Sequence, residues 1–194
     1  RYVEDTLILE TRFETHTGVA RVLDFMPPRG AAPDVVRLVI GERGETLMHT
    51  ELVLRFGYGA SVPWVTHVGD ATWRAVAGPD MTILRTRAPV RGEDLRTVAQ
   101  FTIRAGERLP FVLTYGPSHL EPPPPIDVEE ALRETEEFWR SWVAKGCASG
   151  RWSAAVKRSL ITLRALIYRP TGGIIAAPTT SLPEHIGGPR NWDY

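Results

Sequence analysis

Thr6-Leu-Ile-Leu-Glu-Thr-Arg-Phe-Glu-Thr15, then His16-Thr17-Gly18, then Val19-Ala-Arg-Val-Leu-Asp-Phe25, is the stretch that decides the fold class of this chain. The first segment alternates in polarity and is rich in β-branched and aromatic residues, as a half-buried strand is. Thr17 and Gly18 supply a turn, and the second segment is a strand again. No other part of the sequence signals a hairpin as well. Pro27-Pro28-Arg29-Gly30 ends it.

Outward from that hairpin the strand pattern continues to about residue 119. Further candidates are 35–40, 50–56, 72–76, 81–86, 95–103 and 110–115, separated by clusters such as Gly69-Asp70 and Gly78-Pro79-Asp80. Short strands at such spacing, with no helical period between them, predict an antiparallel β-sandwich over residues 1–120. Gly41-Glu-Arg-Gly44 and Gly57-Tyr-Gly59 read as turns, and no helix follows either to make a phosphate loop. Trp64, Trp73 and Tyr58 could form a flat carbohydrate platform on the sandwich, but core packing explains them better.

Residues 121–148 change character. Glu121-Pro-Pro-Pro-Pro125 is a stiff spacer. Asp127 is a good N-cap, with Glu129 and Glu130 in the favourable first turn of a linker helix. Val128, Leu132, Thr135, Trp139 and Trp142 recur at steps of four and three, widened by Phe138 and Val143, until Gly146. A second helix opens the third region, 149–194, with Ser149 or Ser153 as candidate cap. Its stripe is Trp152, Val156, Leu160, Leu163 and Ile167, and Pro170 and Gly172 stop it. Two amphipathic helices cannot bury both stripes against each other and one sheet edge. A packing partner for the second helix is therefore expected elsewhere, and the isolated chain is expected to self-associate through Trp152, Leu160, Leu163 and Ile167.

Composition narrows the function. Lys plus Arg and Asp plus Glu both number 23, so net charge is zero and the electrostatic drive for nucleic acid or an anionic membrane is lost. No apolar run approaches the ~20 residues of a membrane helix. Cys147 is the single cysteine, which excludes a disulfide framework and fits a reducing, cytoplasmic location. His16, His49, His67, His119 and His185 show no i, i+4 pairing, so a histidine metal site is not expected. Ser181 lacks a nucleophile elbow and Cys147 a Cys-His signature. No organic cofactor or metal is implied.

The last stretch, Gly172-Gly-Ile-Ile-Ala-Ala-Pro-Thr-Thr-Ser-Leu-Pro-Glu-His-Ile-Gly-Gly-Pro-Arg-Asn-Trp-Asp-Tyr194, has neither helical nor strand period. A loop of this length in a compact protein is usually functional, and its Ile, Trp and Tyr content argues against disorder. Ala177-Pro-Thr-Thr-Ser-Leu-Pro-Glu184 and Gly187-Gly-Pro-Arg-Asn-Trp-Asp-Tyr194 resemble the start of the catalytic domain in bacterial glycoside hydrolase family 15, the glucoamylase and trehalase-like enzymes. Residues 158–168 and 170–178 resemble that family's first barrel helix and the loop after it. Leu23-Asp-Phe-Met-Pro-Pro28 is the best marker of its β-sandwich domain. The resemblance implies a sandwich joined by linker helices to an (α/α)6 barrel that is cut off here after its first helix.

It also implies a chemistry. Inverting hydrolysis of a glycosidic bond needs a carboxylic acid and a carboxylate about 6.5–9.5 Å apart. In the resembled family both lie beyond this sequence, so no catalytic residue is expected within it. Glu184 beside His185 could be imagined as a catalytic pair, yet a carboxylate holding the loop through backbone N–H groups is the better reading. Tyr194 matches the family tyrosine that sits against the non-reducing glucose, and is the expected substrate-binding residue. Trp192 and Arg190 are expected to be structural, and Asp193 to anchor the loop. The implied partners are an α-glucan or α-glucoside substrate and the rest of the barrel. The alternatives are a non-catalytic carbohydrate-binding or assembly module and a glycoside phosphorylase of the same layout, for whose phosphate site no basic cluster is present.

Overall fold

The computed structural model describes residues 1–28, 30–69, 71–146 and 149–175. Two compact units divide the chain, Arg1–Phe138 and Trp139–Tyr194. In the first, strands β1 (Leu9–Glu14), β2 (Gly18–Phe25) and β3 (Asp34–Leu52) are followed by β4 (Trp64–His67), β5 (Thr72–Ala77), β6 (Asp80–Arg85), β7 (Arg91–Glu93), β8 (Arg96–Arg104) and β9 (Arg108–Pro117). All pairings are antiparallel. One layer runs β1-β2-β3-β9-β6-β5-β4, and the second is built by β8 and β7 on the far half of β3.

The hairpin predicted over residues 6–25 is there, with Leu9 opposite Asp24 and Glu14 opposite Val19. The expected turn at Gly41–Gly44 is instead a bend inside the 19-residue β3. Register slips by one residue there, Val19 facing Arg43 while Ala20 faces Gly41. Before the bend β3 pairs with β9, and after it with β8. A bulge bends a strand and increases its twist, which carries β3 from one layer into the other. Glycine is needed at both ends of the bend. A Cβ on Gly41 would lie 1.9 Å from the Arg104 carbonyl oxygen, and Gly44 takes φ +58° with Thr17's carbonyl 2.0 Å from where its Cβ would be. Of the separate strand expected at 50–56, residues 50–52 are the tail of β3 and Phe56 makes only an isolated bridge to Ser61, and β4 and β7 are too short to stand out in the sequence.

Alternation along these strands fills two cores. Ala20, Val22, Val39, Leu84, Ala99, Ile103 and Phe111 meet between the layers, with Met48, Leu52 and Trp73 packed around them. The opposite face of the larger layer contributes Ile8, Leu23, Phe25, Val36, Leu38 and Val112, and is covered by Ala131, Val128 and Leu132 of helix α1 (Val128–Ala144). Each such aliphatic or aromatic side chain contributes about 1.5–3 kcal/mol when fully buried.

Asp127 caps α1 as expected, its Oδ1 accepting from the Glu129 and Glu130 amides at 2.9 and 3.0 Å. Arg108 on β9 holds Glu129 through two bonds of 2.6 and 2.7 Å. The proline segment is more than a spacer. Pro123's carbonyl accepts from Arg85 Nη2, and its ring lies 3.3 Å from where a Cβ on Gly116 would be.

In the second unit helix α2 spans Ser153–Ala165, and Trp152 rather than Ser149 or Ser153 occupies its N-cap, without a side-chain cap bond. The helix ends at Ala165 rather than at Pro170, so Ile167, expected in its stripe, lies instead in β10 (Ile167–Tyr168), which pairs with β11 (Gly173–Ile174) in a two-stranded ribbon that the sequence pattern does not announce.

Candidate functional site

Tyr194, Trp192, Arg190, Asp193, Glu184, His185, Ser181 and Cys147 all lie outside the described residues. The described part of the chain therefore offers the concave surfaces and charged groups of the sandwich. Among the described residues no group of three or more His, Cys, Asp or Glu side chains is arranged to hold a metal ion, and no helix is long and apolar enough to cross a membrane.

Asp24, from the Leu23–Pro28 segment, has a clear local role. It sits directly opposite Arg37 across the β2–β3 pair, and the guanidinium forks onto its carboxylate at 2.7 and 3.0 Å. That hydrogen-bonded pairing with Asp24 raises the Arg37 pKa against the opposing effect of burial. The pair stands in the wall of a cavity of about 450 Å³ at the mouth of the gap between the layers, with Leu84, Phe111, Leu113 and Val98 among its apolar lining. A smaller recess of about 120 Å³ shares Asp24, Arg37, Thr50 and Phe111 with it.

A third concavity, about 320 Å³, runs between the start of β4 and the β7–β8 turn. It shares Leu52 and Thr97 with the large cavity. Here the structure corrects the expectation for the aromatics. Trp73 does pack against the inter-layer core and meets the His67 ring at 4.8 Å, tilted by 41°. Trp64 is 78% exposed and lines the third concavity, and Tyr58 is 93% exposed. Tyr58 lies in the turn expected at 57–59, at φ +56° between two positive-φ glycines, where its side chain cannot reach the core. Trp64 opens β4 at the edge of its layer, paired on one side only, opposite Val76 of β5.

The turn beside Trp64 escapes sequence reading. Leu95 reads as the start of a strand, yet it is the second residue of a two-residue loop, with Glu93 opposite Arg96. The only available signal is Asp94, a common first turn residue, and the usual glycine after it is missing.

Two further polar groups are structural. Glu10 is buried beside Arg1 Nη2 at 2.7 Å and Arg21 Nη1 at 3.1 Å. Burial pushes its carboxyl up, but hydrogen bonds and charge from both arginines outweigh that and leave it below the ordinary value of 4.5. Arg85 is held below its ordinary value by burial, with Asp34 acting the other way. Thr114 links them, accepting from Arg85 at 3.3 Å and donating to Asp34 at 2.5 Å.

Comparison with known proteins adds what the described geometry does not. A protein from Thermoplasma acidophilum named trehalase is 31% identical over 198 residues, covering all of this chain and 34% of that protein. The trehalase of Mycobacterium tuberculosis is 34% identical over 227 residues, again across the whole chain and 32% of its own length. That of Mycolicibacterium smegmatis is 32% identical and is covered to 33%. The chain thus spans about a third of the length of the curated relatives it matches. No family profile matches it. Among solved structures, one named for kojibiose phosphorylase from human microbiome aligns with 82% of this chain and 23% of its own at TM-score 0.36 and 8% identity. Likeness at that level carries no weight for fold or activity.

Proposed function

We propose that this chain is the β-sandwich and the opening segment of the (α/α)6 barrel of an inverting, exo-acting α-glucoside hydrolase of glycoside hydrolase family 15, of the trehalase or glucoamylase type. The observation that carries the reading is similarity across the whole chain to proteins named trehalase from archaea and mycobacteria. The mainly antiparallel sandwich with its capped linker helix agrees with it.

In this reading one glutamic acid beyond the present sequence protonates the glycosidic oxygen while a second activates the attacking water. Their separation leaves room for that water, so the configuration at the attacked carbon inverts. Tyr194 lies against the non-reducing glucose, where its hydroxyl and ring face meet developing positive charge. The sandwich buttresses the barrel. The exposed apolar stripe of α2 awaits barrel helices, and in the isolated chain it drives self-association, which size-exclusion chromatography reads directly.

Proton NMR of trehalose cleavage by the full-length parent tests the reaction. Inversion releases one β- and one α-glucose per event before mutarotation. Two α-glucoses would mean retention, and glucose 1-phosphate formed only with added phosphate would mean a phosphorylase. Replacing Tyr194 by Phe in that enzyme is expected to lower kcat/KM about tenfold or more.

A further inference from the structure

Leu95 and Trp64, both beside the 320 Å³ groove, are placed against the interest of the fold. Asp94 and Leu95 form the two-residue β7–β8 loop with φ of 48° and 59°. This is the primed hairpin turn in which glycine is the unstrained second residue. Leu95 takes its Cβ into that region and gains no burial in return, being 70% exposed. Arg55 Nη1 holds the strained turn by its Leu95 carbonyl at 3.2 Å. Across the groove stands the exposed Trp64. Backbone strain of this kind persists where surrounding structure enforces it, and it clusters at ligand clamps.

The lining says what kind of ligand fits. The volume is at the small end of the ~300–1,000 Å³ typical of small-molecule sites, and the floor and walls are Leu52, Leu54, Val62 and Val65. The rim carries Glu93, which accepts from Arg91 at 2.8 Å, and Arg96, which donates to Glu51 at 3.1 Å and lies 3.9 Å from Asp94, with Arg55 beside the turn. With those partners counted, the three carboxylates Glu51, Glu93 and Asp94 and the three guanidiniums Arg55, Arg91 and Arg96 cancel. Neither an anion nor a cation is selected, while hydroxyl groups find both donors and acceptors. A neutral ligand with an apolar face and a hydroxylated edge is a pyranose ring.

We propose that the groove between Trp64 and Leu95 is a saccharide-binding site on the sandwich, separate from the chemistry of bond cleavage, that holds a neutral glucoside. Trp64 takes the C–H face of the ring, Leu95 closes the opposite side, and Asp94 and Arg96 hold its hydroxyls. The proposal rests on the hydrolase reading only for the identity of the sugar.

Calorimetric titration of the 194-residue chain with trehalose, maltose and maltoheptaose tests it. Saturable binding of at least one of them is expected. Trp64→Ala, an exposed position that does not threaten folding, is expected to weaken that binding about tenfold, whereas Tyr58→Ala leaves it unchanged. Leu95→Gly separates strain from structure, since it should raise the melting temperature by about 2–4 °C and still weaken binding several-fold. Absence of binding for all three sugars, or equal binding by Trp64→Ala, overturns the proposal. Trehalose cleavage by the full-length Trp64→Ala enzyme keeps the two readings apart. A parent that cleaves no α-glucoside while Trp64-dependent binding persists would defeat the hydrolase reading and support this one. Cleavage without such binding would overturn this one alone.

Discussion

The sandwich and the helical segment after it both carry amphipathic sequence, but they use it to different ends. In the sandwich nearly every inward position is filled, with Ile8, Val36, Leu38 and Ile83 essentially inaccessible. In α2 the single buried residue is Ile161, while Trp152 is 67% and Leu163 53% exposed. A sheet closes its own core because its layers are joined by β3. A lone helix with a wide stripe needs neighbours. The difference separates a region that closes its own core from a helix whose apolar face stays open.

The widest gap between the two regions should appear on truncation. Leu38→Ala is expected to cost about 2–5 kcal/mol in chemical denaturation, because it leaves a cavity between sheet and helix. Leu163→Ala should change stability by less than about 0.5 kcal/mol. Comparable losses at both positions would erase the contrast. Next comes the bend of β3. Gly41→Ala forces a methyl group onto the Arg104 carbonyl and is expected to cost about 3 kcal/mol, read in the same experiment. A neutral result would mean the two layers do not depend on that bulge. Asp127→Ala removes the cap that starts α1 and should cost about 1 kcal/mol.

The smallest effect is acid sensitivity at Glu10. Its folded pKa lies below the unfolded value, so its stabilisation is present above that value and is lost as pH falls through the folded one. Glu10→Gln should be less stable near neutrality and should lose less stability than the parent chain on acidification below about pH 4.5. Parallel stability–pH curves would remove Glu10 from the account.

Much of this architecture was legible in the residues. The 6–25 hairpin, the Asp127 cap and the exposure of Trp152, Val156 and Leu163 follow from local pattern, whereas Leu160 is half-buried and Ile167 falls outside the helix. The bend at Gly41–Gly44 was not, because two glycines flanking two charged residues look the same in a turn and in a bulge. Only the partners, Arg104 and Thr17, distinguish them. Trp64 and Leu95 were misread for a related reason. Propensity places an aromatic in the core and a leucine in a strand, and both rules yield where a side chain serves the surface. The substrate contact expected at Tyr194 rests on motif resemblance at 177–194, which lies outside the described residues.

The proposal that this chain belongs to an α-glucoside hydrolase meets its most direct test in glucose release from trehalose, maltose, isomaltose and soluble starch. The 194-residue chain is compared with the same chain extended to the length of its relatives. The account predicts activity only in the extended protein, with the preferred sugar fixing its type. Hydrolysis by the 194-residue chain itself would contradict the placement of acid and base beyond it, and inactivity of both with all four sugars would contradict the claim itself.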